Sequence, residues 1–205
     1  MLNFEENFLF EKCSFKEYTP SLLEGCSPFN CGHKDLNSFF KDDAFKFHEE
    51  LLGKTHCFTL DSDPTIIVCA FTISNDSVKA SDLPGSRRKK VTKLVPREKA
   101  LRNYPAVLIG RLGVNVNYKG TTVSRELMQF IKSWFIDPEN KTGCRYIVVD
   151  SYNEPIPLHY YTKNGFETIF STEDQEKEYL KIAQDQQLKT RLMYFDLIVL
   201  RAITT

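Results

Sequence analysis

The chain has 205 residues, 41% of them hydrophobic and 26% charged, with 27 basic residues against 27 acidic ones. That is the composition of one ordinary globular domain with its own core, neither disordered nor membrane-like. Zero net charge leaves no global field to draw the protein to nucleic acid, and no apolar run nears the roughly 20 residues that span a bilayer.

The N-terminus lacks the basic flank of a secretory signal. With no such signal, the six cysteines (Cys13, Cys26, Cys31, Cys57, Cys69 and Cys144) are expected to be reduced thiols in a cytoplasmic protein. Cys57 and Cys69 sit in apolar runs and read as small core residues. Cys26, Cys31 and His33 make three ligand-type side chains without the second pair that a zinc site needs, so no metal is expected.

In chain order, Leu36, Phe39, Phe40, Ala44, Phe47 and Leu51 keep a helical period, and Gly53 supplies a stop. Thr55–Leu60 and Thr65–Ile73 are β-rich and joined by Asp-Ser-Asp-Pro, a hairpin signal. Ser81–Tyr104 is long for a connection within a compact domain. In it Arg87, Arg88, Lys89, Lys90, Lys93, Arg97, Lys99 and Arg102 are offset only by Asp82 and Glu98. This insertion, at about 81–104, reads in two ways. One is a patch for a phosphate backbone; the other is a solvated loop and amphipathic helix with its basic residues in water, favoured by the lack of interleaved aromatics.

Ala106–Val116 is a third strand. Val123, Leu127, Ile131 and Trp134 line one face of a helix that stops before Asp137-Pro138. Tyr146–Val149 is a short apolar strand, and Pro155–Asn164 a helix with Gly165 just past its end. Phe166–Phe170 and Leu192–Leu200 are expected as further strands. Helices alternating with strands predict one α/β domain over residues 1–205, a mixed sheet with helices on its faces, because a strand–helix–strand unit returns parallel.

Three pieces carry chemistry. The first runs from Ile109 to Leu127 and reads as a buried strand, a tight turn at Gly120, and a helix that starts with Thr121, Thr122 and Ser124. Free N–H groups and the helix dipole make such an N-terminus a site for phosphate. The second is Val149-Asp-Ser-Tyr-Asn-Glu, and the third is Leu158-His-Tyr-Tyr-Thr-Lys-Asn-Gly-Phe. On residues alone, Tyr160 and Tyr161 read as core residues of a short helix, Asn153 as a turn residue, and Arg111 as paired with an acid, facing the acceptor, or exposed in a structural role. Gly113 fits a close approach of a ligand or of another backbone.

In order and spacing, the three pieces resemble the acetyl-CoA-binding core of the GNAT acetyltransferase superfamily. The resemblance implies a single GNAT-like domain whose central sheet is mixed but mostly antiparallel. It implies main-chain contacts to the pantetheine arm from Leu112, Gly113 and Val114, and a pyrophosphate turn over Lys119, Gly120, Thr121, Thr122, Val123 and Ser124. Asn153 would hydrogen-bond the cofactor arm, and Tyr161, in a match to Phe-Tyr-x-x-x-Gly-Phe, would be the acid toward the leaving thiolate. A phenol suits that task, because its ordinary pKa near 10 keeps it protonated at neutral pH. Thr122 departs from the family pattern, standing where a glycine lets the backbone hug the pyrophosphate. Its branched side chain costs clearance, while its hydroxyl can donate.

Phe29-Asn-Cys-Gly-His-Lys-Asp-Leu-Asn-Ser-Phe-Phe, taken with the basic insertion and Ile-Gly-Arg-Leu-Gly-Val, is similar to a bacterial subgroup. That subgroup includes toxins that acetylate aminoacyl-tRNA and are neutralised by a small ribbon-helix-helix antitoxin. The expectation is a cytoplasmic N-acetyltransferase using acetyl-CoA on a primary amine, with no residue nameable as the base. The acceptor would be a small molecule or aminoacyl-tRNA; an antitoxin and a second copy of the chain are the candidate protein partners, with no membrane. The alternatives are a GNAT-like binding module with little turnover, which Thr122 favours, and a tRNA-directed toxin.

Overall fold

The computed structural model describes residues 7–96 and 100–201. Arg97, Glu98 and Lys99 of the basic insertion lie outside the described residues. In chain order come α1 (Phe8–Lys12), β1 (Cys13–Glu17), α2 (Pro20–Glu24), α3 (Lys34–Ser38), a π turn (Phe39–Asp43), α4 (Ala44–Glu49), β2 (Lys54–Leu60) and β3 (Ile67–Lys79). Then follow α5 (Gly85–Val91), β4 (Asn103–Val114), α6 (Val123–Ile136), β5 (Tyr146–Tyr152) and α7 (Pro155–Lys163). The chain finishes with β6 (Glu167–Thr168), α8 (Glu173–Leu180), β7 (Thr190–Asp196) and α9 (Ile198–Arg201).

The seven strands form one sheet in the order β1-β2-β3-β4-β5-β7-β6. β1–β2, β2–β3, β5–β7 and β6–β7 are antiparallel. β4 and β5 are neighbours joined through α6, and a helical crossover returns the chain in the same direction, which makes the sheet mixed. The unit β5–α7–β6 does not pair as the sequence suggested: β7 lies between its two strands, antiparallel to both.

Backbone contacts divide the chain into two compact units, one of Met1–Ser74 with Ile109–Ile131 and one of Asn75–Leu108 with Lys132–Thr205. In the first, Tyr18, Phe39, Phe40, Ala44, Cys57, Ile67 and Ala70 form a core cluster. The predicted helix from Leu36 is present but broken by the π turn, where Ala44 N–H reaches back to the Phe39 carbonyl. The extra residue lets Phe39 and Phe40 both turn inward, and the Tyr18 hydroxyl donates to the Phe40 carbonyl at 3.0 Å. The helix stops at Glu49. Leu51, counted as its last apolar position, is 90% exposed at φ 59. Glu126 of α6 is buried, and its two oxygens accept from Asn7 N–H at 3.1 Å and Leu9 N–H at 2.7 Å, capping α1.

In the second unit the insertion forms the amphipathic helix expected, α5, and leaves Arg88, Lys89, Lys90 and Lys93 exposed, but some of its apolar residues are packed into the core. Leu83, Val91 and Tyr104 join Val78, Tyr146, Val148, Phe170 and Tyr194 in its core, and the Tyr146 hydroxyl donates to the Val91 carbonyl at 2.9 Å. Arg87 is buried too: its guanidinium donates to the carbonyls of Thr168 and Ile169 and to the Ser171 hydroxyl. Lys90 is ion-paired with Glu167. The last strand ends at Asp196 and gives way to α9, short of the expected Leu200. The predicted Phe166–Phe170 strand shrinks to two residues. All six cysteines are free thiols, and among the described residues no helix is long and apolar enough to cross a membrane.

Candidate active site

In the first unit β4 ends at Val114, where Asn115 fastens the chain: its N–H donates to the Val68 carbonyl at 2.9 Å and its Nδ2 to the Ile67 carbonyl at 3.0 Å. A 3₁₀ turn, Val116–Tyr118, leads to Gly120, which sits at φ 74 where only glycine is unstrained. Thr121 then does the capping. Its hydroxyl donates to the Tyr118 carbonyl at 2.6 Å and accepts from Val123 N–H at 3.3 Å. The Thr122 carbonyl accepts from the N–H groups of Arg125 and Glu126, so Thr122 is the residue at which α6 begins. Its own hydroxyl is buried and has no hydrogen-bond partner.

Among the described residues, no protein acceptor takes the N–H groups of Gly120, Thr121 or Thr122. Three main-chain donors and one hydroxyl therefore gather at the positive end of a 14-residue helix. That is chemistry for an anion with several oxygens, above all a phosphate. Lys119 is exposed beside them, with its Nζ folded back toward Gly32: a Cβ on Gly32 would stand 3.2 Å from it.

Leu112, Gly113 and Val114 are the last three residues of β4 before this turn. Gly113 is required by close packing. A Cβ there would stand 3.1 Å from Cys31 Cβ and 3.2 Å from Phe29 Cε1. The neighbour is thus a chain segment, whose Cys31 thiol in turn donates to Asn37 Oδ1 at 3.1 Å. Arg111 stacks its guanidinium 4.9 Å over the Phe39 ring, a cation–π contact in place of the acid pairing weighed from sequence. Of the three residues weighed as zinc ligands, Cys26 donates to the Pro64 carbonyl, Cys31 to Asn37, and His33 caps α3 through Nδ1.

In the second unit α7 starts with Pro155 at its first position and ends at Gly165, φ 78, where a Cβ would meet the Phe195 ring at 3.2 Å. Tyr161 packs edge-to-face on Tyr160 at 5.1 Å and on Phe166 at 5.4 Å. It is half-buried and its hydroxyl makes no hydrogen bond to the described protein. Burial pushes its phenol above the ordinary value, so it is fully protonated at neutral pH. Desolvation of the same kind would raise the basicity of a thiolate formed beside it, which keeps a proton transfer between the two feasible.

Asn153 is committed to the fold. Its Nδ2 donates to Glu173 Oε1 at 2.9 Å and to the Leu188 carbonyl at 3.0 Å, and its N–H to the Lys189 carbonyl at 2.9 Å. What remains to offer a ligand is the Oδ1 acceptor. The sequence-predicted residues therefore fall into two sets: Leu112–Ser124 form one continuous run in the first unit, and Asn153 and Tyr161 belong to the second.

Lys132 was missed by sequence reasoning. Its ammonium donates to the Asn164 carbonyl at the end of α7 and lies 3.7 Å from the centroid of the Phe195 ring, and burial pushes its pKa down to about 8. Nothing in the pattern of α6 sets Lys132 apart from an ordinary surface lysine. Thr172 and Gln175, three apart as in a capping box, did signal the missed helix α8.

No family profile matches the chain. Among solved structures, it is similar to a tyrosine-to-phenylalanine variant of KacT, at 14% identity and a TM-score of 0.67 over 94% of this chain and 99% of that one. It is similar to AtaT complexed with acetyl-methionyl-tRNAfMet, at 15% identity and a TM-score of 0.63 over 94% and 99%. It is also similar to AtaTR bound with AcCoA, at 14% identity and a TM-score of 0.62 over 96% and 100%. Likeness at these identities is likeness of fold: the chain has the α/β fold of these structures over nearly its whole length.

Proposed function

We propose that this chain is an acetyl-CoA-dependent N-acetyltransferase of a primary amine. The observation that carries the reading is the group of N–H donors at Gly120, Thr121 and Thr122, with the buried Thr122 hydroxyl, at the start of α6. They would hold the pyrophosphate, helped by Lys119 and the start of α6 at Val123 and Ser124, while main-chain groups of Leu112, Gly113 and Val114 run along the pantetheine arm. The neutral amine attacks the thioester carbonyl, the C–S bond breaks, and Tyr161 gives its proton to the sulfur; the nitrogen gives up its extra proton to water, and the phenolate is reprotonated from solvent. Asn153 Oδ1 remains as an acceptor toward the arm. Thr122, which departs from the family pattern, would serve as a donor in place of a glycine's clearance.

The solved neighbour of AtaT with acetyl-methionyl-tRNAfMet and the exposed Arg88, Lys89 and Lys93 favour one version of this function, in which an aminoacyl-tRNA carries the amine. AtaT has also been solved with the C-terminus of the antitoxin AtaR. A small antitoxin partner and a cytoplasmic setting belong to this proposal, with a second copy of the chain as a further partner.

The test is the melting temperature with and without acetyl-CoA. At one hundred times its dissociation constant a ligand adds about 2.7 kcal/mol to stability, a shift of several degrees in a chain of this size. An unchanged melting temperature at millimolar acetyl-CoA would overturn the proposal.

A further inference from the structure

Helix α7 carries Tyr161 but has little hold of its own on the fold, since none of its residues from Pro155 to Lys163 is fully buried. The Tyr161 hydroxyl makes no hydrogen bond to the described protein, so no bond of its own fixes where it points. What holds the phenol is the run just past the helix. The Tyr161 carbonyl accepts from the N–H groups of Asn164 and Phe166, each at 3.0 Å, and the Tyr160 carbonyl accepts from Asn164 Nδ2 at 2.9 Å. The buried Phe166 ring meets the Tyr161 ring edge-to-face at 5.4 Å.

Both supports converge on one side chain. Lys132 of α6 donates to the Asn164 carbonyl, and its ammonium lies 3.7 Å from the Phe195 centroid and 5.6 Å from that of Phe166. The Phe166 and Phe195 centroids are themselves 5.6 Å apart. A cation placed there also meets the negative end of the α7 dipole. Lys132, α7, Phe166 and Phe195 all belong to the second unit.

For stability alone a lysine is a poor choice at this position. Its ammonium is half-buried, and among the described residues no carboxylate pairs with it. A desolvated cation without a counter-charge opposes folding. A methionine would fill the same space beside two aromatic rings with no charge to bury. The one thing it would not do is grip the Asn164 carbonyl.

We infer that Lys132 is a positioning residue: its ammonium, set between the Asn164 carbonyl and the Phe195 ring, holds the end of α7 so that the Tyr161 hydroxyl keeps its place. The inference rests on the reading of Tyr161 as the acid toward the leaving thiolate. Lys132 itself moves no proton in the reaction. Its leverage is geometric, because a displacement of about 1 Å at a reacting group can cost about 10²-fold in rate.

The test is a double-variant cycle at pH 7, where Lys132 is protonated. CoA release from acetyl-CoA, with L-methioninamide as the amine, is measured for the parent, Lys132→Met, Tyr161→Phe and the two combined, all well below their melting temperatures. Lys132→Met should lower kcat about 10–100-fold and leave the KM for acetyl-CoA nearly unchanged. Lys132→Arg, which keeps the charge and the donors, should recover most of the rate. In the Tyr161→Phe background Lys132→Met should cost little more, because the group it positions is gone. Amide exchange supplies a second measurement that needs no acceptor: the Asn164 and Phe166 N–H groups should exchange faster in Lys132→Met and at the parental rate in Lys132→Arg.

A parental kcat in Lys132→Met, an equal fold-loss with and without the Tyr161 hydroxyl, or unchanged exchange would each overturn the inference. Full turnover in Tyr161→Phe alone would remove the acid reading and the inference with it. If the parent does not turn over this amide, exchange decides: faster exchange in Lys132→Met alone supports the inference, and unchanged exchange overturns it.

Discussion

Lys132 donates a hydrogen bond to the main-chain carbonyl of Asn164, 32 residues further along. Asn164 closes α7, and its N–H reaches back to the Tyr160 and Tyr161 carbonyls, so one ammonium pins the end of the helix that carries Tyr161. The ammonium also rests on the Phe195 ring, the ring that excludes a Cβ from Gly165.

That placement makes a prediction about pH. Burial holds the folded-state pKa of Lys132 at about 8, against about 10.4 in an unfolded chain. Between those values the unfolded chain keeps a proton that the folded protein has released, so this residue's contribution to stability rises with pH across the window. Denaturant unfolding of the parent and of Lys132→Met at pH 7 and pH 9.5 should give a difference that shifts toward the parent at pH 9.5. Parallel pH profiles would mean that the lysine is solvated.

For Tyr161 the expectation is a selective loss. Tyr161→Phe keeps the edge contacts with Tyr160 and Phe166 and breaks no hydrogen bond to the described protein. Folding and acetyl-CoA affinity should stay close to the parent, while turnover falls roughly 10²–10⁴-fold, as for loss of a positioned acid. Full turnover would make the tyrosine a packing residue.

Thr122 is a sharper probe than its neighbours because its hydroxyl is buried and idle in the free protein. Thr122→Val keeps the shape and removes the unpartnered group, so the free protein should be no less stable. Acetyl-CoA should bind about tenfold or more weakly, the value of a hydrogen bond to a charged group. Tighter binding would show that the branched side chain crowds the phosphate.

The basic insertion separates into two classes of cation. Arg87→Ala should cost about 3 kcal/mol by stranding buried carbonyls. Replacing the exposed Arg88, Lys89 and Lys93 with Ser should leave the melting temperature nearly unchanged. If these three grip RNA, the same triple variant should flatten the slope of log affinity against log salt by about 2. An unchanged slope would leave them as solvated surface.

Where hydrophobic period and turn chemistry agreed, the sequence was read well. Val123, Leu127 and Ile131 of α6 are all fully buried, and Gly120 and Gly165 both sit in the left-handed region that their turns demand. What escaped was set by distant partners. A π turn adds a residue without leaving the helical alphabet, so the period through Phe39 and Phe40 ran on to Leu51. Arg87 reads as one of eight cations until Thr168 and Ile169 are brought beside it. The turn at Lys119–Thr122 was legible because its hydrogen bonds are local, whereas Asn153 took its partners from Glu173 and Leu188, 20 and 35 residues away.

β6 is the end strand of the sheet, and an end strand presents unpaired main-chain groups to any passing chain. Arg87 occupies the Thr168 carbonyl of that strand and the Ile169 carbonyl just beyond it, and Lys90 pairs with the Glu167 side chain. Helix α5 therefore works as a bolt across that edge: a foreign strand seeking to add there must first displace a buried guanidinium. A segment whose charge suggests a handle for partners spends two of its cations keeping one kind of partner out.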